Sequence, residues 1–329
     1  HPVAHSFPTR RSSDLEISLT TRDGACTQLH VPVTLHVWPF ALPAQPGLHH
    51  TEWFWPLDLA AYYHLTPWSD AHWDWIRRVA ADMAAHRQDM ILTPFFDLVG
   101  VRQTAGGRLA FDFDRLDTWL DIFHEAGVTW VEGGHLARRE GGWESAIRWL
   151  RFAVDDGRGA PVDTSREAMD DDAFEPYMKA FVQAVYAHLK ARGRHRRYVQ
   201  HIADEPIEAN HESWLALRDK VKSWLPAVAN IDATCCAQVA GKVDWRVPQI
   251  QHVRPGDRAA GEQLWSYVCL APRGRHPNRF LDYASIRNRI IFWLSFSLDL
   301  NGFLHWGYNS WKAWTQVPVP LPPSPWYDA

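Results

Sequence analysis

From His49 onward, short apolar runs alternate with longer segments of helical periodicity, and this alternation constrains the fold more than any other feature of the chain. Such alternation is the signature of βα units around a parallel sheet. Strands are predicted at 51–55, 90–96, 128–133, 198–203, 233–237, 249–253, 263–270 and 302–308. The sixth begins just after Pro248, a position proline tolerates only at the start of a strand. Helices are predicted over 70–86, 115–126, 172–190, 213–225 and 285–298, each with apolar residues at i, i+3, i+4 spacing. In the first of these, Trp73, Ile76, Val79, Ala80 and Met83 make one face, and Ser69 stands at the N-cap. Eight strands with helices between most of them predict an α/β fold, a (β/α)8 TIM-type barrel over residues 49–329.

Outside the barrel pattern, residues 16–40 alternate in short apolar stretches around an Asp23-Gly24 turn. This hairpin-like pattern predicts the remnant of an N-terminal β-sandwich domain. Residues 41–48 read as a linker, with Pro43 and Pro46 inside it. Residues 1–15 have no periodicity and none of the regions of a signal peptide, and they resemble translated adaptor sequence from assembled environmental reads. At the other end, a proline-rich run after Trp314 shows no eighth helix, so the barrel is expected to be truncated at its C-terminal end. The segment 140–172 is too long for an ordinary barrel connection and is expected to cover the mouth of the site. A short alternating run at 108–113 is expected to form an extra hairpin.

In a barrel of this kind the C-terminal ends of the strands converge on one mouth, where the chemistry sits. The fourth predicted strand, YVQHIADEP at 198–206, ends in two adjacent carboxylates, Asp204 and Glu205. Pro206 biases Glu205 toward extended geometry and marks the end of the strand. Read alone, the two acids serve equally well as caps for the following helix. The other strand ends supply Trp53, Glu132, His135, Trp265, Tyr267, Trp306, Tyr308 and Asn309, with His50 and His201 as further hydrogen-bonding groups. Carboxylates, histidines and aromatics with few lysines suit a neutral, polyhydroxylated ligand better than a phosphate. No glycine-rich phosphate-binding motif follows a strand. A metal site built from His135, His201 and Asp204 competes for the same residues, but no HExxH or helical histidine pair supports it, and no metal or cofactor is expected.

Composition narrows the partner. The chain has 19 Trp, against 15 Phe and 9 Tyr. Flat aromatic faces pack against the C–H faces of sugar rings, so the excess favours a carbohydrate ligand; an aromatic-rich core is the alternative for each tryptophan. The charge balance, 34 basic minus 38 acidic residues or −4, and the short basic run at 192–197 give no footprint for nucleic acid. The four cysteines show no CxxC spacing, and no run approaches the roughly 18 apolar residues of a membrane span.

Four ordered motifs, HIADEP at 201–206, LWSYVC at 264–269, PNRFLD at 277–282 with Arg287, and GFLHWGYN at 302–309, resemble the catalytic domain of glycoside hydrolase family 123, formerly a domain of unknown function. The resemblance implies a retaining β-N-acetylgalactosaminidase-like barrel acting on N-acetylhexosaminides by substrate assistance. Glu205 would then be the general acid/base, and Asp204 would orient the 2-acetamido group. Adjacent residues in a regular strand point to opposite faces, so without local distortion this pair does not straddle a glycosidic bond as acid and nucleophile about 5–5.5 Å apart. An acetamido nucleophile removes that requirement. Trp306, Tyr308, Trp265 and Tyr267 would wall the sugar, with Trp53, His50, His135, Glu132, His201 and Asn309 as further contacts. Such an enzyme is expected to be secreted or periplasmic. The alternatives are a catalytically inactive carbohydrate-binding barrel and a glycosidase for a different sugar.

Overall fold

The computed structural model describes residues 39–41, 43, 46–104, 106–155 and 171–311, together with the strand backbones at 15–20, 26–31, 161–162 and 168–169. The chain divides into two compact units, His1–Ala44 and Gln45–Ala329. In the first, strands Leu15–Thr20 and Cys26–Val31 pair antiparallel with Leu15 opposite Val31. The expected turn at Asp23-Gly24, the rest of the expected segment at 1–14, and the proline-rich stretch beyond 311 lie outside the described residues.

The second unit is a closed barrel of eight parallel strands in sequence order. Here they are β1 (His49–Glu52), β2 (Met90–Thr93), β3 (Trp130–Gly133), β4 (Tyr198–Gln200), β5 (Ala229–Ala233), β6 (Trp245–Val247), β7 (Gln263–Val268) and β8 (Gly302–His305). Closure is direct: β8 pairs with β1 from Gly302 opposite His49 to His305 opposite Glu52. The longer helices are α1 (Asp70–Ala85), α2 (Asp114–Ala126), α3 (Asp171–Ala191), α4 (His211–Trp224) and α5 (Ile286–Ser297), with two short ones at Pro56–Tyr62 and Phe95–Leu98. Ser69 caps α1 by accepting from the His72 amide at 3.3 Å. The predicted stripe Trp73, Ile76, Val79, Ala80 and Met83 is buried against the sheet. α2 ends at Gly127, whose φ of 106° is open to glycine and strained for any other residue.

Two strands differ from the sequence expectation. β5 and β6 each lie about one helical turn upstream of the predicted 233–237 and 249–253, and 250–252 form a single 3-10 turn. The connections after β5 and β6 hold short 3-10 turns among the described residues in place of full helices. The predicted hairpin is present, as Gly100–Gln103 paired antiparallel with Leu109–Asp112. In the long segment after β3, strands Ala137–Arg139 and Ile147–Leu150 pair antiparallel, and the turn between them carries Trp143.

Side chains fill the barrel in layers, because alternate residues of each strand point inward. The lowest layer is aromatic. His49 stacks on Trp245 and Trp265 with ring centroids 5.6 and 5.7 Å apart, and meets Trp130 edge-on at 5.0 Å. Gly302 makes room for it: a Cβ there would stand 2.3 Å from the Trp265 indole. Part of the tryptophan excess is therefore a plug in the barrel and not a binding surface. Above the plug lies a polar layer, Thr51, Glu132, His201 and Asp232, all fully buried.

Candidate active site

The polar layer is the floor of the site, and its groups satisfy one another, as buried polar groups must. Glu132 accepts from Thr51 Oγ1 at 2.5 Å and Trp53 Nε1 at 2.8 Å, and meets His201 Nε2 at 2.7 Å. The other ring nitrogen of His201 faces Asp232 Oδ1 at 3.0 Å. Asp232 also accepts from the Ile202 amide and from Trp214 Nε1, each at 3.2 Å. Burial disfavours charge on His201, but its hydrogen bonds to the flanking carboxylates Asp232 and Glu132 overcome this and push its pKa up to about 9. Burial likewise pushes Asp232 up to about 6, against the pull of His201. The layer is thus a histidine clamped between two acids, an arrangement that favours its charged form.

Above this floor, β4 stops at Gln200, and Asp204 and Glu205 lie in the loop beyond it. Glu205 has φ +47°, a left-handed conformation strained for a residue with a side chain and at odds with the extended geometry its proline neighbour favours. Arg139, from the strand after β3, holds this turn. Its guanidinium donates to the backbone oxygens of Asp204, at 3.1 Å, and of Glu205, and to that of Trp143 at 2.8 Å. Tyr267 Oη donates to Glu205 Oε1.

Beyond the regular strand, the opposite-face rule no longer applies. Asp204 and Glu205 line the same cavity of about 540 Å³, with Trp53, Trp55, Trp143, Tyr267 and Trp306 among its walls. Crowding by protein and the charge of Glu205 push Asp204 up to about 7, against His201 and Arg139. Asp204 remains open to the cleft, so water screens part of this effect until a ligand fills the space.

The other expected site residues fall in several places. His135 lines the cavity, and its buried Nε2 has no hydrogen-bond partner. Burial and the neighbouring His201 charge hold its pKa well below the usual value. Glu132 and His201 lie in the floor beneath. Asn309 is buried and pins Trp55, donating to its carbonyl at 3.0 Å and accepting from its amide at 2.8 Å. Trp265 is in the plug, two residues and one layer below Tyr267. His50 and Tyr308 are placed on the flank of the barrel: His50 meets Glu52 and Phe292, and Tyr308 donates to Asp82. Arg139, Trp143 and Asp232 were not expected. The expected fifth strand begins at 233, one residue beyond Asp232, and Arg139 acts on backbone oxygens, for which no sequence pattern exists.

Among the described residues, His135, His201 and Asp232 have ligand atoms within 4.8 Å of one another. Both nitrogens of His201 already face carboxylates, so an ion there would displace the His201–Asp232 bond. The arrangement fits a hydrogen-bonded clamp.

A closed, parallel eight-stranded barrel with two carboxylates and several aromatic side chains at one mouth defines the fold as a TIM barrel. The chain matches the family Glycoside hydrolase 123, catalytic domain, over residues 53–329, and it belongs to that family. It is similar in structure to a family 123 glycoside hydrolase from Clostridium perfringens, described for glycolipid glycan hydrolysis, with a TM-score of 0.65 at 14% identity. That alignment covers 89% of this chain and 56% of the other, so this chain spans little more than half the length of that protein. A GH10 xylanase from Thermobacillus composti is more distant, with a TM-score of 0.42 at 14% identity over 83% of this chain and 89% of its own. Comparison with curated proteins gives no match.

Proposed function

We propose that the protein is a retaining glycosidase for N-acetylhexosaminides, β-N-acetylgalactosaminidase-like, that uses the substrate's own acetamido group as nucleophile. The observation that carries this reading is that the only carboxylates among the described residues lining the aromatic cavity are chain neighbours, Asp204 and Glu205. An enzyme nucleophile would need a second carboxyl across the scissile bond from the acid. With both acids on one short turn, the attack from the far face of the sugar is left to the substrate.

In the first step Glu205 gives its proton to the glycosidic oxygen as the C1–O bond breaks. The acetamido oxygen closes onto C1, and Asp204 accepts the amide N–H and balances the charge of the oxazolinium. Water then attacks C1 while Glu205 takes its proton, and two inversions give net retention. Proton placement follows from the pair. In the free protein the raised pKa of Asp204 favours a proton there near neutrality. A substrate amide N–H bonded to Asp204 favours its ionised form, the form that balances an oxazolinium.

The test is a matched pair of aryl glycosides, a β-N-acetylgalactosaminide and the β-galactoside with a 2-hydroxyl, with a thiazoline as inhibitor. The reading expects cleavage of the first with retention, inhibition by the thiazoline, and at most trace cleavage of the second. Comparable kcat/KM for both substrates would overturn it.

A further inference from the structure

A smaller cavity of about 240 Å³ meets the aromatic one at His135 and Asp204, which line both. Its other walls are Ala137, Arg138, Arg139 and Leu150. We propose that this cavity takes the acyl chain of the substrate's 2-acylamino group, and that the protein therefore acts on hexosaminides whose N-acyl group is larger than acetyl, such as N-propanoyl, N-butanoyl and N-glycolyl. The inference rests on the substrate-assisted reading above, in which Asp204 accepts the amide N–H.

The geometry of a secondary amide links that hydrogen bond to the cavity. Such an amide is planar and trans. Its carbonyl oxygen then lies on the side of C2, where it can close onto C1, and its N–H and acyl chain both lie on the opposite side. A carboxylate that accepts the N–H thus has the acyl chain beside it. In an acetamide that chain is one methyl group, whose bulk is close to that of a water molecule, about 30 Å³. The cavity beside Asp204 is several times larger than a methyl group needs.

The walls suit an alkyl chain and are fixed before one arrives. Ala137 and Leu150 are buried apolar residues on the two paired strands that follow β3. The Ala137 amide donates to the Ile202 carbonyl at 2.9 Å, and the Leu150 amide donates to the Leu136 carbonyl at 2.8 Å. Arg139 is tied to the backbone oxygens of Asp204 and Trp143 at 3.1 and 2.8 Å. A longer chain therefore enters existing space, with little ordering of the protein to oppose it. Arg138 is exposed, so the hydroxyl of a glycolyl group can meet water at the edge of the cavity. The chemistry of the step is unaltered, because every N-acyl group presents the same carbonyl oxygen to C1.

Aryl β-galactosaminides that differ only in the N-acyl group test this on the full chain. For N-propanoyl and N-butanoyl, kcat/KM should stay within about tenfold of the N-acetyl value, because each CH₂ finds room and, where buried, favours binding about fourfold. A loss of more than about tenfold on going from acetyl to propanoyl, the mark of a site closed around a methyl group, would overturn the proposal. Ala137→Val and Leu150→Phe narrow the cavity. In each, the ratio of kcat/KM for N-butanoyl to that for N-acetyl should fall about tenfold. The ratio is taken within one variant, so a loss of folded protein cancels from it. An unchanged ratio in both variants puts the chain elsewhere and overturns the proposal. Rejection of the longer substrates beside cleavage of the N-acetyl one strikes the proposal and leaves the proposed function intact. Cleavage of none strikes the proposed function, and the cavity is then decided by the binding of two sugar thiazolines, one with a 2-methyl and one with a 2-propyl group. Affinities within about tenfold of each other uphold it; a greater loss for the 2-propyl compound, or no binding of either, overturns it.

Discussion

Tyr267 Oη donates a hydrogen bond to Glu205 Oε1, joining the end of β7 to the turn after β4. It fixes which way the Glu205 carboxyl faces, and Gln249, beside Tyr267 on the neighbouring connection, is part of the same contact. Tyr267→Phe keeps the ring and removes the donor. We expect kcat to fall about tenfold with KM little changed, the effect of losing one hydrogen bond of about 1.4 kcal/mol to a reacting group. Steady-state kinetics on an aryl N-acetylgalactosaminide would show it, and a pure KM effect would contradict it.

Arg139 bonds three backbone oxygens, and through them it keeps Glu205 left-handed. Arg139→Met retains the aliphatic stem beside Trp143 and should lower kcat about 10- to 100-fold. Arg139→Lys should not rescue it, because a single ammonium cannot reproduce the planar fork. Recovery of more than half the activity in the lysine variant would show that charge alone is required.

Asp204 is raised to about 7 by its surroundings and by Glu205, so in the free protein it ionises as pH rises through neutrality. Binding of a cationic thiazoline-type inhibitor should therefore tighten between about pH 6 and 8 and then level off. Asp204→Asn should abolish this limb. The sign for stability is opposite. A carboxyl whose folded pKa is raised loses stability as pH climbs from its unfolded value, about 3.9, toward 7, so Asp204→Asn should raise Tm at pH 8 and leave it unchanged near pH 4. The gain should be about a degree or two, since water in the cleft screens the charge.

His201 titrates in the other direction. Its folded pKa of about 9 exceeds the ordinary 6.5, so the stability its protonation contributes is complete below about pH 6.5 and is lost as pH rises through about 9. Thermal melts from pH 6 to 10 should show Tm falling across this window. Asp232→Asn weakens the clamp and should move the fall to lower pH; an unchanged profile would show that His201 is neutral in the folded protein.

The pattern of success along the sequence has a physical cause. Six barrel strands are marked by apolar runs, and those runs start within about two residues of the observed strands. β5 reads Ala-Asn-Ile-Asp-Ala, and its Asp232 is buried because it has a partner inside, His201. β6 carries Arg246, which pairs with Glu262. Periodicity of hydrophobicity is a weak signal in strands of three to five residues interrupted by hydrogen-bonded or ion-paired polar side chains. The site shows the same division. Asp204, Glu205, Trp53, Trp306, Tyr267 and His135 were legible because strand ends converge on one mouth. Trp265 and Tyr308 were placed at the mouth because they alternate with residues there; Trp265 instead sits one layer lower, and Tyr308, past the end of β8, turns to the flank. The left-handed turn at Glu205 was not legible, because it is imposed by Arg139 from 66 residues away.

The most direct test is turnover of an aryl β-N-acetylgalactosaminide by the wild-type chain and by Glu205→Gln, with folding of both checked by thermal melts. The account predicts cleavage by the wild type and a loss of at least about 10³-fold in the variant, because an amide of the same shape has no proton to give the leaving oxygen. Near-normal turnover by Glu205→Gln would contradict it.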